Sequence, residues 1–382
     1  QPGDTRGEVR FALLAVLAPA DGSLVTASAS SADRTCEPGA LIAEAGWGHA
    51  AMGVEEARAR ADGAGVLVAV VDSGVQADHP HLAGAVIDGR DVVALDAANT
   101  TGTRDLWGHG RAVAAIIAGR PVAGSGLTGI APAATIIPIR VYYLDSDEGE
   151  KQGSDATPLR IAEGIRQAAQ TGAKIIVVAM STVTQTPEMD QAVAEATAAG
   201  ALVIASMGNI EGDGDPSRPR YPASIPQVLA VGAFDQGFTP AVAYHGEHAD
   251  VGGPGVGILA TGLSGGDCVL GTPQEATSWA TAHVAGVATL IAQLYPQESP
   301  SQWANRITAT AARNVPEEHS QLVGWGLVQA PAALGFVDDG TARGPGSSGD
   351  GGLQGTTASE PVIITAYPDQ WKRSRAVVAW WA

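Results

Sequence analysis

The 382-residue chain carries 40 Asp and Glu against 22 Lys and Arg, a formal net charge of −18, and only two cysteines. Phosphate binding needs a basic surface, so this balance excludes nucleic acid as a partner, and two cysteines are too few for a disulfide scaffold. The length suits one large domain with flanking pieces, and the acidic charge keeps a secreted protein soluble.

The apolar run 10–18, with Ala27-Ser28-Ala29 after it, gives a secretory-signal-like segment over 10–29. Asp21 interrupts it, so a strand-like piece of the mature protein competes with that reading. Residues 66–71 (Val-Leu-Val-Ala-Val-Val) predict a strand buried on both faces, ending at Asp72. In open parallel sheets the carboxyl ends of the strands are where ligands bind. Trp107-Gly108-His109-Gly110 then runs into an apolar, helix-like stretch, 112–118. His109, between two glycines at a helix start, is the only one of the eight histidines so placed; His283 lies inside an apolar helix and reads as a packed core residue.

Residues 134–141, 174–180, 201–206 and 228–232 read as further strands, and 158–171 and 188–198 as helices. That alternation predicts an α/β fold with a mainly parallel sheet covered by helices on both faces. The acidic run 145–150 lacks the spacing of a calcium loop and reads as solvated charge. His and Cys occur at no zinc-like spacing, and no phosphate cradle is present, so neither metal nor other cofactor is expected. Beyond Ser206 comes Asn209, whose amide fits an oxyanion donor or a simple turn. Finally, Ala276-Thr277-Ser278 opens a long apolar helix ending near Leu294. A serine there faces unpaired N–H groups and the positive end of the helix dipole, which suits a nucleophile, although Thr-Ser before a helix is usually only an N-cap.

In order, Asp72, His109, Asn209 and Ser278 each stand at the end of a strand or the start of a helix. With Val70-Val71-Asp72-Ser73-Gly74, Gly108-His109-Gly110, Ala205-Ser206-Met207-Gly208-Asn209 and Ala276-Thr277-Ser278, the chain resembles the subtilisin-like serine proteases from about Gly65 to Leu334. Glu55-Glu56-Ala57, His79-Pro80-His81-Leu82 and Val323-Gly324-Trp325-Gly326 are similar to the mycosins, membrane-anchored proteases of type VII secretion in actinobacteria. The resemblance implies a subtilisin-like three-layer fold and a serine endopeptidase of narrow specificity linked to protein secretion. In it Ser278 is the nucleophile, His109 the base, Asp72 its orienting carboxylate and Asn209 an oxyanion donor. Ser181, after the strand 174–180, lines the cleft and pairs with an extended polypeptide substrate. Further implied are a membrane secretion complex as partner and an extracytoplasmic place, secreted or anchored at the cell membrane. The alternative is a weak or inactive module that stabilises such a complex.

Some positions depart from the family pattern. Arg111 stands where threonine is usual, a cation the helix dipole disfavours. Ala276 replaces a glycine, which matters if the backbone needs positive φ or a close approach to substrate. Thr182-Val183 follow Ser181 where glycine is commoner and predict a narrower edge, while Ala282 for proline suits a helix. Mycosins usually carry a cysteine before the catalytic histidine, and 103–106 has none. Cys36 and Cys268 therefore read either as one bridge or as two buried thiols. The expected divisions are an N-terminal extension (1–64), the protease domain (65–337), a Gly/Ser-rich linker (338–368) and a tail (369–382). The closing apolar run 376–382 is too short to span a bilayer and reads as a disordered end or the stub of a membrane anchor.

Overall fold

The structure, a computed structural model, describes residues 36–340 apart from 211–213, 263–264 and 275, together with 342 and 344. The signal-like segment, most of the linker and the tail lie outside the described residues.

Seven described strands, β1 (Leu67–Asp72), β2 (Arg90–Asp91), β3 (Thr135–Arg140), β4 (Ile175–Val178), β5 (Leu202–Ser206), β6 (Val228–Phe234) and β7 (Val251–Pro254), form one sheet. Their spatial order is β2-β3-β1-β4-β5-β6-β7 and every pairing is parallel. A small antiparallel ribbon joins β8 (Ile258–Thr261) to β9 (Asp267–Leu270). The described helices are α1 (Trp47–Met52), α2 (Val54–Arg58), α3 (His109–Ala118), α4 (Asp147–Lys151), α5 (Pro158–Gln170), α6 (Pro187–Ala198), α7 (Thr277–Leu294), α8 (Pro300–Thr310) and α9 (Ala330–Gly335).

The alternation of side chains along a strand divides the core in two. Val68, Val70, Ile175 and Val177 pack on the side of α3 and α7, whereas Ala69, Val71, Ile176 and Val178 pack on the side of α5 and α6. Helices α5 and α6 start alike, with Thr157 and Thr186 accepting from the N–H three residues on and proline at the next position. The hydroxyl satisfies an orphan donor and proline needs none, so each Thr-Pro pair fixes a helix start. The acidic run becomes α4, capped by Ser146, whose Oγ accepts the Gly149 N–H at 3.3 Å.

From β1 the chain runs out to β3 and then crosses back to β4 on the other side. Such a reversal opens a crevice beyond the carboxyl ends of the strands. Asp72, Ser181 and Asn209 all stand at or just past those ends.

Residues 36–64 lie against this domain. Met52, Val54 and Ala57 are fully buried in the core that α3 and α7 share. Cys36 and Cys268 form a disulfide with their Cα atoms 5.1 Å apart, a normal separation. Beside it Asp267 accepts the Ile42 N–H at 2.8 Å, donates its own N–H to Ala40 at 2.7 Å and meets His81 Nε2 at 3.0 Å.

Candidate active site

Asp72 ends β1 with its side chain buried. Its Oδ1 accepts from the Ser73 N–H at 2.7 Å and the Tyr142 hydroxyl at 3.0 Å, with the Ser73 hydroxyl oxygen 3.2 Å away. His109 Nδ1 lies 2.8 and 2.9 Å from its two oxygens. A carboxylate with this many donors is held in one orientation.

His109 reaches it because α3 comes very close to β1. A Cβ at Gly110 would stand 2.1 Å from the Gly74 carbonyl oxygen and 2.9 Å from Asp72 Cβ, so only glycine fits. The loop before the helix is set by buried Asp105. Its Oδ1 accepts from the Ser73 hydroxyl (2.9 Å), Trp107 N–H (3.1 Å) and Gly108 N–H (2.7 Å), and its Oδ2 from the Arg111 N–H (2.8 Å). Burial opposes charge on His109, but the Asp72 charge and hydrogen bond outweigh it and hold the imidazole above its usual 6.5. With Nδ1 donating to Asp72, Nε2 is left as the acceptor. Burial and the Asp72 charge push the Tyr142 hydroxyl well above 10, which keeps it a donor.

Ser278 is the second residue of α7. In the first turn its N–H has no intrahelical acceptor. Its hydroxyl donates to the Ala179 carbonyl at 2.6 Å and makes no hydrogen bond to His109. Both residues line one cleft of about 680 Å³, together with Asn209, Ser181 and Trp279. Asn209 Oδ1 accepts from the Ala276 N–H and the Thr277 N–H, each at 3.2 Å, and from the Thr277 hydroxyl at 2.8 Å. The carbonyl half of the amide is thus committed to the start of α7, and Nδ2 remains as a donor. Ser206 reinforces this tie, with its hydroxyl donating to Thr277 Oγ1 at 2.8 Å.

The structure therefore brings Asp72 and His109 into contact and gathers Ser278, Asn209 and Ser181 around the same cleft. Thr182 pairs with Tyr221 by two backbone bonds of 2.8 Å, and Thr182 and Val183 add side chains to the cleft wall. His283 is buried in α7, its Nδ1 2.8 Å from the Trp279 carbonyl, a packed core residue as expected. Sequence reasoning missed Tyr142, Asp105 and Arg220, whose Nε donates to Ser181 Oγ at 2.9 Å. Asp105 had no local signal: the helix's N-cap position is Gly108, and Asp105 lies three residues outside it.

Two departures from the family pattern can be placed in the fold. Ala276 has φ −119°, ordinary for an L-residue, so its backbone conformation does not call for glycine. Arg111 is buried in the first turn of α3: its Nε approaches Thr261 Oγ1 at 3.4 Å and its backbone N–H bonds Asp105. Burial raises the Asp105 pKa above the usual carboxylate value while Arg111 opposes that rise. A raised carboxyl contributes stability that is present at low pH and lost as pH climbs through its folded value. Arg111→Met removes the opposing charge, so its cost is expected to be larger near neutral pH than near pH 5. Thermal unfolding of both proteins at pH 5 and pH 8 checks this; a gap that does not widen with pH contradicts the coupling.

A parallel sheet whose carboxyl edge gathers an aspartate-held histidine, an amide and a helix-start serine defines a subtilisin-like hydrolase. The chain belongs to the subtilase family of serine endopeptidases, whose pattern it matches over residues 63–326. It is 32% identical to mycosin-1 of Mycobacterium tuberculosis over 363 residues, 82% of this chain and 78% of that protein. It is 36% identical to thermitase of Thermoactinomyces vulgaris over 233 residues, 61% of this chain and 76% of that protein. Among solved structures, MycP1 from the ESX-1 type VII secretion system is similar with a TM-score of 0.67 at 27% identity, over 82% of this chain and 92% of that one.

Proposed function

We propose that this protein hydrolyses peptide bonds by attack of Ser278 on a substrate carbonyl, with His109 taking the serine proton. Asp72 holds the imidazole in the tautomer that leaves Nε2 toward the cleft and stabilises the positive charge that forms. Asn209 Nδ2 and the Ser278 N–H receive the oxyanion of the tetrahedral intermediate. His109 then protonates the departing amine, and water resolves the acyl-enzyme by the same steps in reverse. The observation that carries this reading is the Asp72–His109 contact beside a serine at the start of α7, in one cleft.

Since the hydroxyl of Ser278 rests on Ala179, attack needs its side chain to turn away from that carbonyl toward Nε2. Rotations of that kind are fast compared with turnover. The segment at Ser181 pairs with an extended peptide, so the substrate is an unfolded or loop segment of a protein. The disulfide fits an oxidising, extracytoplasmic setting. With the mycosin likeness it supports substrates handled by a secretion assembly at the cell membrane.

Hydrolysis of an unfolded test protein, blocked by a serine-directed inhibitor, is the expected result; a folded chain that cleaves nothing counts against it. Asn209→Asp keeps an acceptor for Thr277 but loses the donor. It is expected to lower kcat by at least about 10²–10³ with little change in KM. A variant altered in KM alone would remove Asn209 from the oxyanion site.

A further inference from the structure

Tyr142 lies just past β3, and the sheet register carries it to Asp72. Asp72 is level with Arg140, and the Val141 N–H donates to the Asp72 carbonyl at 2.9 Å. The next side chain then falls beside the end of β1, where its hydroxyl donates to Asp72 Oδ1 at 3.0 Å. Tyr143 goes to another partner, its hydroxyl donating to Asp91 at 2.6 Å. Tyr142 is only 4% exposed, packs in the core on the side of α5 and α6, and has an edge on the catalytic cleft.

Oδ1 also stands 2.8 Å from His109 Nδ1. The oxygen that steadies the imidazole thus serves a second side-chain donor at the same time. The Ser73 hydroxyl is engaged elsewhere, donating to Asp105 at 2.9 Å. Burial and the Asp72 charge keep the Tyr142 proton in place well above pH 10, so this donor is permanent. An O–H bound to an anion away from water makes one of the stronger hydrogen bonds in a protein. It draws off part of the charge that Oδ1 otherwise offers to the Nδ1–H bond.

We propose that Tyr142 is a positioning residue for proteolysis, sharing the Asp72 charge with His109 and so setting how tightly the imidazole keeps the proton it takes from Ser278. The inference rests on the proteolytic reading. In the attack Oγ bonds to the carbonyl carbon as its proton passes to Nε2, and that proton later goes to the amine as the C–N bond breaks. A ring held too firmly in its charged form returns the proton slowly and is no base over a wider range of pH. The other charges that act on His109 are Asp105, before α3, and Asp145, after Tyr142, with Arg111 of α3 acting on Asp105. From α7 the uncharged Trp279 ring stands 4.9 Å from the imidazole, centroid to centroid. Removing the Tyr142 hydroxyl leaves all of these in place.

Tyr142→Phe keeps the buried ring and deletes the donor. In the full chain the acid limb of kcat/KM is expected to move up by about half to one pH unit, with the plateau lowered by no more than about tenfold. A tyrosine that merely props the carboxylate predicts the opposite. An Asp72 that turns away lets burial dominate, and the limb moves down. A ring-fluorinated tyrosine placed at 142 is a more acidic, stronger donor of nearly the same shape, and should move the limb below that of the parent. Imidazole titration of His109 by NMR, in Ser278→Ala with each change at 142, reads the same shifts without any chemistry. An upward shift with Phe and a downward one with fluorotyrosine support the proposal; a titration that stays put or falls in Tyr142→Phe overturns it. Should Tyr142→Phe fail to fold, the fluorotyrosine protein decides, and an unmoved titration there overturns the proposal. A folded parent that cleaves no peptide fails the proteolytic reading alone, because the NMR titrations still decide whether Tyr142 shares the Asp72 charge.

Discussion

Ser278→Ala lowers kcat for peptide hydrolysis by about 10⁶ and leaves the fold in place. The hydroxyl bonds only to the Ala179 carbonyl, and one such hydrogen bond contributes about 1 kcal/mol. Thermal unfolding should thus shift little while turnover collapses. His109→Ala is expected to cost about as much, because neither group has a task once the other is gone. The informative result is the double variant, which should be no slower than either single one. Independent losses that multiply would mean that the two residues do not act on one proton. Steady-state rates with enough enzyme to detect residual hydrolysis make the comparison.

Asp72→Asn is the second large effect, with an expected fall in kcat of about 10⁴. An amide in that place offers N–H as well as oxygen, so His109 Nδ1 can turn acceptor and put the proton on Nε2, the wrong nitrogen for a base. The pH profile gives the change a separate signature. In the parent the Asp72 charge outweighs burial and raises His109 above 6.5, so kcat/KM falls as pH drops through a value above the ordinary histidine pKa. Without that charge, burial dominates and favours the neutral ring. The acid limb of the variant should move to lower pH even as its plateau falls. A limb that stays put would assign the titration to another group.

How far these residues could be read without coordinates follows from how each is held. The runs at 66–71, 134–141, 174–180, 201–206 and 228–232 announce themselves because a strand covered on both faces needs uninterrupted apolar residues. β7 does not, since Val-Gly-Gly-Pro has two glycines; a Cβ at Gly252 would meet the Phe234 ring at 2.4 Å, so its apolar partner comes from β6. α1 and α2 were unread because Gly53, at φ 68°, breaks a short helical stretch in two. Asp72, His109, Asn209 and Ser278 stand at the ends of strong elements, where a local pattern marks them. Tyr142 meets Asp72 from 70 positions away and Arg220 meets Ser181 from 39. Their positions carry no local pattern, and only the sheet order makes them neighbours. Arg111 is of the same kind: that it is buried, with a charge that acts on Asp105, follows only from the fold.

The account turns on whether Ser278 is an activated nucleophile. Labelling of the full-length protein with a fluorophosphonate, followed by peptide mapping of the adduct, asks that directly. The prediction is one adduct on Ser278, absent in Ser278→Ala and in His109→Ala, and formed faster as pH rises through the His109 titration. A folded parent that takes no label, or takes it equally in His109→Ala, would contradict the assignment of Ser278 and His109 as a nucleophile and its base.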